Sequence, residues 1–320
     1  MKKTVLFFIT WCVLFHAEVW GQNTYSSERD ITAKDGIVIK GTLLSVERED
    51  MMPTPLVIIV AGSGATDRNG NGSGLNSDAY KLLCESLSRE GISTYRYDKR
   101  AIAASAYEGM KEEDLSMELY ASDVRDIVHH FYTAGTYSSI YVVGHSEGSL
   151  LSILAADDNK EISGVVSLCG AGRPMGDVLK EQLAVQAGGV LTPITTPIID
   201  SLSAGHKVKN VMPQLYSLFR PSVQPFLISQ MRYDPAVEIA KLTCPILIIS
   251  GSKDLQVKEA DYEALKGAVP TCRAVRIEGM SHTLKMTDSD NMQVQLYSVY
   301  MNPALEVSSE LVGEIKKFVK

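Results

Sequence analysis

The sequence predicts an α/β fold: a mostly parallel central sheet flanked by helices, with a helical insertion. Three observations carry this. Residues 56–61, 140–143, 165–169 and 244–250 are near-continuous apolar runs, suited to strands covered on both faces rather than one. Stretches with helical spacing lie between several of them. Glycine-bearing turns follow the runs at Gly62, Gly144, Gly170 and Gly251, so the chain turns sharply where strands end.

The chain has 320 residues, 45% hydrophobic and 22% charged, which suits one large domain with an insertion or two small ones. The formal net charge is −7 and no Lys/Arg run is dense enough to track phosphates, which argues against nucleic acid as a partner. Lys2 and Lys3 precede an apolar stretch over residues 5–15, followed by Gly21 and a polar turn of composition. That run is too short to span a bilayer, so residues 1–21 read as a signal peptide cleaved after Gly21, with an uncleaved N-terminal anchor as the alternative. Export to the periplasm or medium follows, with no stable membrane insertion after cleavage. Cys84, Cys169, Cys244 and Cys272 then remain; the first three sit on or beside apolar stretches, none has metal-ligand spacing, and most read as single buried thiols.

In chain order, Asp35-Gly36 lies between alternating segments and marks a hairpin. The strand at 56–61 leads into Gly62-Ser63-Gly64, where glycines let backbone approach a substrate carbonyl closely. Asp67, Asn69, Asn71, Gly72 and Asp78 fall at calcium-loop positions, but a strand precedes them and Asp replaces the final Glu, so a polar loop bordering the site is preferred and no metal is assigned. Helical spacing covers 79–89 and a strand covers 92–97, ending in Asp98-Lys99-Arg100. Asp98 and Arg100 are expected to form an ion pair that anchors the loop, in preference to the alternative that they reach substrate. An amphipathic helix spans 115–132, and Asp123 and Asp126 are expected on its solvated face.

The strand at 140–143 runs into Gly144-His145-Ser146-Glu147-Gly148 and then an apolar helix. This is a G-x-S-x-G elbow, a turn that presents a serine hydroxyl above a sheet and frees the next backbone N–H. Ser146 is therefore the candidate nucleophile. The N–H groups of Glu147 and Ser63 are the candidate oxyanion donors, with Gly64 as the alternative to Ser63. His145 is expected to pack beneath the elbow; Glu147 is left open between a hydrogen-bonded side chain and a substrate contact. Residues 171–243 show helical pieces and no strand pattern, too long for a loop. They are expected to form a helical cap, leaving 22–170 and 244–320 as the core. Asp254 follows the strand at 244–250, and His282 follows the last strand at 274–277. A neutral histidine can take the serine proton during attack, and an aspartate can fix its tautomer.

The order Ser146, Asp254, His282 resembles that of the α/β-hydrolase superfamily. With Gly62-Ser63-Gly64, Asp67-Arg68-Asn69-Gly70, Arg96-Tyr97-Asp98-Lys99-Arg100, Asp254-Leu255-Gln256-Val257 and Gly279-Met280-Ser281-His282, the chain is similar over nearly its mature length to the bacterial secreted carboxylesterases of the EstD-like type. These are grouped with the serine-aminopeptidase-like hydrolases. Ala101 and Ala103 depart from the glycines usual after Asp-Lys-Arg. The resemblance implies the α/β-hydrolase fold and cleavage of short acyl esters, a small-molecule substrate, with no cofactor. A peptidase or thioesterase with the same triad, or a non-catalytic binding protein on this scaffold, are the alternatives.

Overall fold

The computed structural model describes residues 23–186 and 188–320; the expected signal peptide lies outside them. In chain order the elements are β1 (Asn23–Thr32), β2 (Val38–Glu47), β3 (Leu56–Val60), β4 (Asn71–Gly72), β5 (Leu75–Asn76), α1 (Ala79–Arg89), β6 (Ser93–Tyr97), α2 (Met117–Ala134), β7 (Ile140–His145), α3 (Glu147–Ala156) and β8 (Gly164–Leu168). There follow α4 (Met175–Gln186), α5 (Thr192–Ser203), α6 (Tyr216–Phe219), α7 (Gln224–Met231) and α8 (Pro235–Ile239). The chain ends with β9 (Ile246–Gly251), α9 (Glu259–Ala268), β10 (Arg273–Ile277), α10 (Met292–Gln295), a π-helical turn (Leu296–Tyr300) and α11 (Ser309–Val319).

Eight strands form one sheet in the order β1-β2-β6-β3-β7-β8-β9-β10. The β1–β2 hairpin pairs antiparallel onto β6, and every later pairing is parallel. β3 sits between β6 and β7, so the chain steps to one side and then the other, and the crevice at such a reversal is where open α/β sheets bind ligands.

The apolar strands are explained by what covers them. Along β3, Leu56, Ile58 and Val60 face one cluster with α2, α3 and α9, whereas Val57 and Ile59 face the other with α1 and α11. Alternate side chains point to opposite faces, so a strand covered on both sides loses the polar half of its alternation. The helices start where their caps dictate. Ser116 Oγ accepts from Leu119 N at α2, and Ser308 Oγ accepts from Leu311 N at α11. Gly135, at φ 64°, ends α2.

Helices α4 to α8 occupy the segment between β8 and β9, with no strand among its described residues. They have a core of their own, including Ile199, Leu202, Leu215 and Phe219. Polar contacts attach this segment to the sheet domain: Arg173 to Asp261, Arg220 and Ser222 to Glu112, Met117 N to Ser229 Oγ, and Gln182 Nε2 to the Gln256 carbonyl. Among the described residues no helix is long and apolar enough to cross a membrane.

Two readings of α2 and the loop before it are corrected. Asp123 and Asp126 are buried, not solvated. Asp123 accepts a charged pair of bonds from Arg100, and Asp126 accepts from Lys34 N at 2.8 Å. The face of α2 that carries them packs under the β1–β2 turn, which hydropathy spacing alone does not reveal. Asp98 and Arg100 do anchor their loop, but with other partners. Asp98 pairs with Arg68 at 2.8 Å, and Arg100 binds Asp35 and Asp123.

Candidate active site

β7 ends at His145, and the next residue, Ser146, adopts φ 54°, ψ −120°. An L-residue held there stores about 1–3 kcal/mol of backbone strain. The surroundings over-determine it: Ser146 N donates to the Leu168 carbonyl at 3.0 Å, and Ser149 N donates to the Ser146 carbonyl at 3.0 Å. Two glycines permit the approach of strand to helix. A Cβ on Gly144 would overlap the Gly148 carbonyl, and one on Gly148 would overlap the Val60 carbonyl. The pattern glycine–one residue–serine–one residue–glycine is thus a packing requirement of the turn.

β9 and β10 bring in the two candidate partners of Ser146, Asp254 and His282. Asp254 Oδ1 accepts from Gln256 N at 2.8 Å and Val257 N at 2.9 Å, and its Oδ2 meets His282 Nδ1 at 2.7 Å. Burial raises the Asp254 carboxyl, but its electrostatic interaction and hydrogen bond with His282 and the two backbone donors outweigh it and hold the group below the usual carboxylate range. An ionised carboxylate can only accept, so Nδ1 carries the proton and Nε2 keeps its lone pair. His282 and Ser146 line the same cavity. Among the described residues no hydrogen bond joins them, a bond that commonly tightens only when substrate is present.

The candidate oxyanion donors face this cavity too. Ser63 and Glu147 line it, and among the described residues neither backbone N–H has a hydrogen-bond acceptor. The side chain left open in the sequence, Glu147, is buried and ion-paired: Oε1 lies 3.0 Å from Lys99 Nζ, and Gln230 Nε2 donates to Oε2 at 3.1 Å. Lys99 Nζ also donates to the Gly62 carbonyl at 2.6 Å.

His145 packs beneath the elbow. Its Nε2 lies 2.8 Å from the His282 carbonyl, which only accepts, so Nε2 bears the hydrogen. Nδ1 then accepts from Tyr80 Oη at 2.8 Å, and Tyr80 Oη accepts from Gly62 N at 3.0 Å. Burial, and then the neighbouring His282, push His145 down to about 3. One neutral relay thus ties the loop after β3, the elbow and the loop after β10.

Ligand atoms of His145, Cys169 and His282 lie within 4.8 Å of one another, but they do not fit a cation. Both His145 nitrogens are committed to hydrogen bonds, so this histidine has no lone pair left for an ion, and burial and the Asp254 carboxylate push the Cys169 thiol up. In the loop with calcium-like spacing, the side-chain oxygens turn inward. Asp67 Oδ1 accepts from Asn69 N and Asn71 N, and Asn71 Oδ1 accepts from Ser77 N and Asp78 N. The four cysteines among the described residues are free thiols; Cys84 and Cys169 are buried, whereas Cys244 and Cys272 are only half-buried.

The cavity holds about 560 Å³, within the range of small-molecule sites. Leu115, Tyr120, Val178, Leu179, Phe226 and Leu227 supply apolar wall from both the sheet domain and the helical segment. Its charged side chains come in pairs, Lys99 with Glu147 and Arg220 with Glu112. Lys99, Tyr80 and Gln230 were not singled out from sequence. Lys99 had a signal, a charged triplet at a strand's carboxyl end; Gln230 had none, because it lies on α7, a helix with apolar residues all round.

A family model described as serine aminopeptidase, S33, matches residues 71–223, which include Ser146 and stop short of Asp254 and His282. Esterase EstD of Thermotoga maritima is 31% identical over 215 residues, 66% of this chain and 49% of that protein. The chain therefore spans about half the length of this curated relative. Among solved structures, the Pyrococcus furiosus esterase Pf2001 is 17% identical at a TM-score of 0.60, with 92% of this chain and 90% of that one covered. A proline iminopeptidase of Mycobacterium smegmatis gives a TM-score of 0.54 at 14% identity, covering 92% and 97%. At such identities the likeness concerns the fold, and the fold hosts more than one reaction.

Proposed function

We propose that this chain, whose fold is that of the α/β-hydrolases, is a serine esterase working through an acyl-enzyme on Ser146. The observation that carries the reading is the His282–Asp254 hydrogen bond at 2.7 Å, facing the same cavity as the strained Ser146. Ser146 Oγ attacks the ester carbonyl carbon while its proton passes to His282 Nε2 and the carbonyl electron pair moves to oxygen. Glu147 N–H and Ser63 N–H receive that oxyanion. As the electron pair returns, the C–O bond to the alcohol breaks and the alcohol leaves with the proton from His282. Water then repeats the sequence on the acyl-enzyme and restores the Ser146 hydroxyl. Asp254 stabilises the imidazolium in each half.

Paired charges on the cavity wall favour an uncharged substrate. A peptidase that holds a free α-ammonium needs an available carboxylate, and Glu147 and Glu112 are each already bound to a cation. The apolar lining suits a short acyl chain, with helices α4 to α8 acting as the cap that shapes it. Lys2, Lys3 and the apolar stretch after them support export.

The test is hydrolysis of p-nitrophenyl esters of increasing chain length, beside matched anilides, by the wild type and Ser146→Ala. Turnover that peaks at short acyl chains, exceeds anilide turnover and vanishes in Ser146→Ala is expected. Turnover surviving in Ser146→Ala would remove the nucleophile, and preference for the anilide would move the reading to a peptidase.

A further inference from the structure

Two N–H groups on separate loops stabilise an oxyanion only if both stay aimed at one point. The peptide joining Gly62 to Ser63 is trans, so its carbonyl and its N–H point in opposite directions. Lys99 Nζ holds that carbonyl at 2.6 Å, and holding one end of a planar unit fixes the direction of the other. A charged donor on the carbonyl also polarises the peptide and strengthens its N–H as a donor. The same ammonium binds Glu147 Oε1 at 3.0 Å, the side chain of the residue whose backbone supplies the second donor. Gln230 Nε2 steadies the other carboxylate oxygen, and the Tyr120 ring lies 5.2 Å from Lys99 Nζ.

Lys99 and Glu147 are both nearly inaccessible to water, with side chains 3% exposed. A buried ion pair is a poor means of stabilising a fold, since apolar side chains of similar volume commonly do as well or better. What it supplies here is direction.

We propose that Lys99, paired with Glu147, is a positioning residue that aims both backbone donors of the oxyanion hole. The proposal rests on the serine-esterase reading. It gives Lys99 and the Glu147 carboxylate no contact with the reacting atoms; both act through the Ser63 and Glu147 amides. Their removal therefore weakens transition-state binding and leaves ground-state binding of the acyl chain in place.

The test uses the full chain with Lys99→Met/Glu147→Gln, which leaves no unpaired buried charge, and with Glu147→Gln alone, which keeps the side-chain shape. Active sites are counted by stoichiometric titration with a fluorophosphonate, so misfolded protein does not enter the rate. Three quantities are read: kcat/KM for a short p-nitrophenyl ester, the Ki of an alkyl trifluoromethyl ketone, which forms an oxyanion on Ser146, and the Ki of the matching carboxamide. In the double variant, kcat/KM per site is expected to fall about 10- to 100-fold, part of the cost of losing a whole donor, with ketone affinity falling in parallel. Carboxamide affinity is expected to stay within about twofold. Glu147→Gln alone is expected to lose about three- to tenfold in the first two quantities, and it decides the matter should the double variant not fold. Wild-type kcat/KM per titrated site in a folded variant overturns the proposal, as does an equal loss in all three quantities, which marks a general disturbance of the pocket. Hydrolysis that persists in Ser146→Ala would instead overturn the esterase reading itself.

Discussion

His145 makes the folded state sensitive to acid by an amount that follows from its surroundings. Burial, then His282, lower it from an ordinary 6.5 to about 3, and its two nitrogens are already committed to Tyr80 and to the His282 carbonyl. Protonation would place a second N–H against the Tyr80 hydroxyl, which already donates there. Because the folded value lies below the unfolded one, the unfolded chain binds the proton first as pH falls. The contribution is complete above about pH 6.5 and is lost progressively towards pH 3, at about 1.4 kcal/mol per unit. Between about pH 6.5 and pH 4.5, two units, the loss is roughly 2.7 kcal/mol. His145→Gln keeps an amide that can donate to the His282 carbonyl and cannot titrate. Urea unfolding followed by far-ultraviolet circular dichroism, near pH 7.5 and pH 4.5, gives the stability change for each protein. Groups common to both cancel in the difference, apart from any coupled directly to His145. The wild type is expected to lose about 2–3 kcal/mol more than the variant on acidification. Equal losses would mean that His145 titrates alike in the folded and unfolded chains, and the neutral relay would be refuted.

Further outcomes follow from the same geometry. Asp254→Asn puts an amide donor against His282 Nδ1 and favours the wrong tautomer; kcat is expected to fall about 10³- to 10⁴-fold with the fold retained by circular dichroism. Gly144→Ala drives a Cβ into the Gly148 carbonyl, so a loss of about 1–3 kcal/mol or more and a lower melting temperature are expected, together with reduced fluorophosphonate labelling. Asp123→Ala leaves the buried Arg100 with only the half-exposed Asp35, and is expected to cost about 3 kcal/mol in urea unfolding while the rate per titrated site is unchanged.

The sheet was legible because strands covered on both faces write themselves as apolar runs, and the elbow was legible because its glycines are dictated by overlap with named carbonyls. The order of Ser146, Asp254 and His282 along the chain was also readable, since each follows its own strand. What pairs with what was not readable. By spacing Asp123 reads as a solvated helix position, whereas the β1–β2 turn lies over it, and Arg100 reaches Asp35 and Asp123 instead of Asp98. Helices α7 and α8 leave little trace in the sequence because both are short, each carries a proline within its first two residues, and α7 has apolar residues on all sides, leaving no amphipathic period. The Lys99–Glu147 pair joins residues 48 positions apart, and no local pattern encodes such a contact.

The most direct test of the central claim is acid quenching of the protein during turnover of a short p-nitrophenyl ester, followed by mass spectrometry of its peptides. An acyl mass increment on Ser146 is expected, absent in Ser146→Ala and appearing as fast as p-nitrophenol in the first turnover. Ester turnover with Ser146 unmodified throughout, or an acyl group formed on another residue at the rate of turnover, would contradict it.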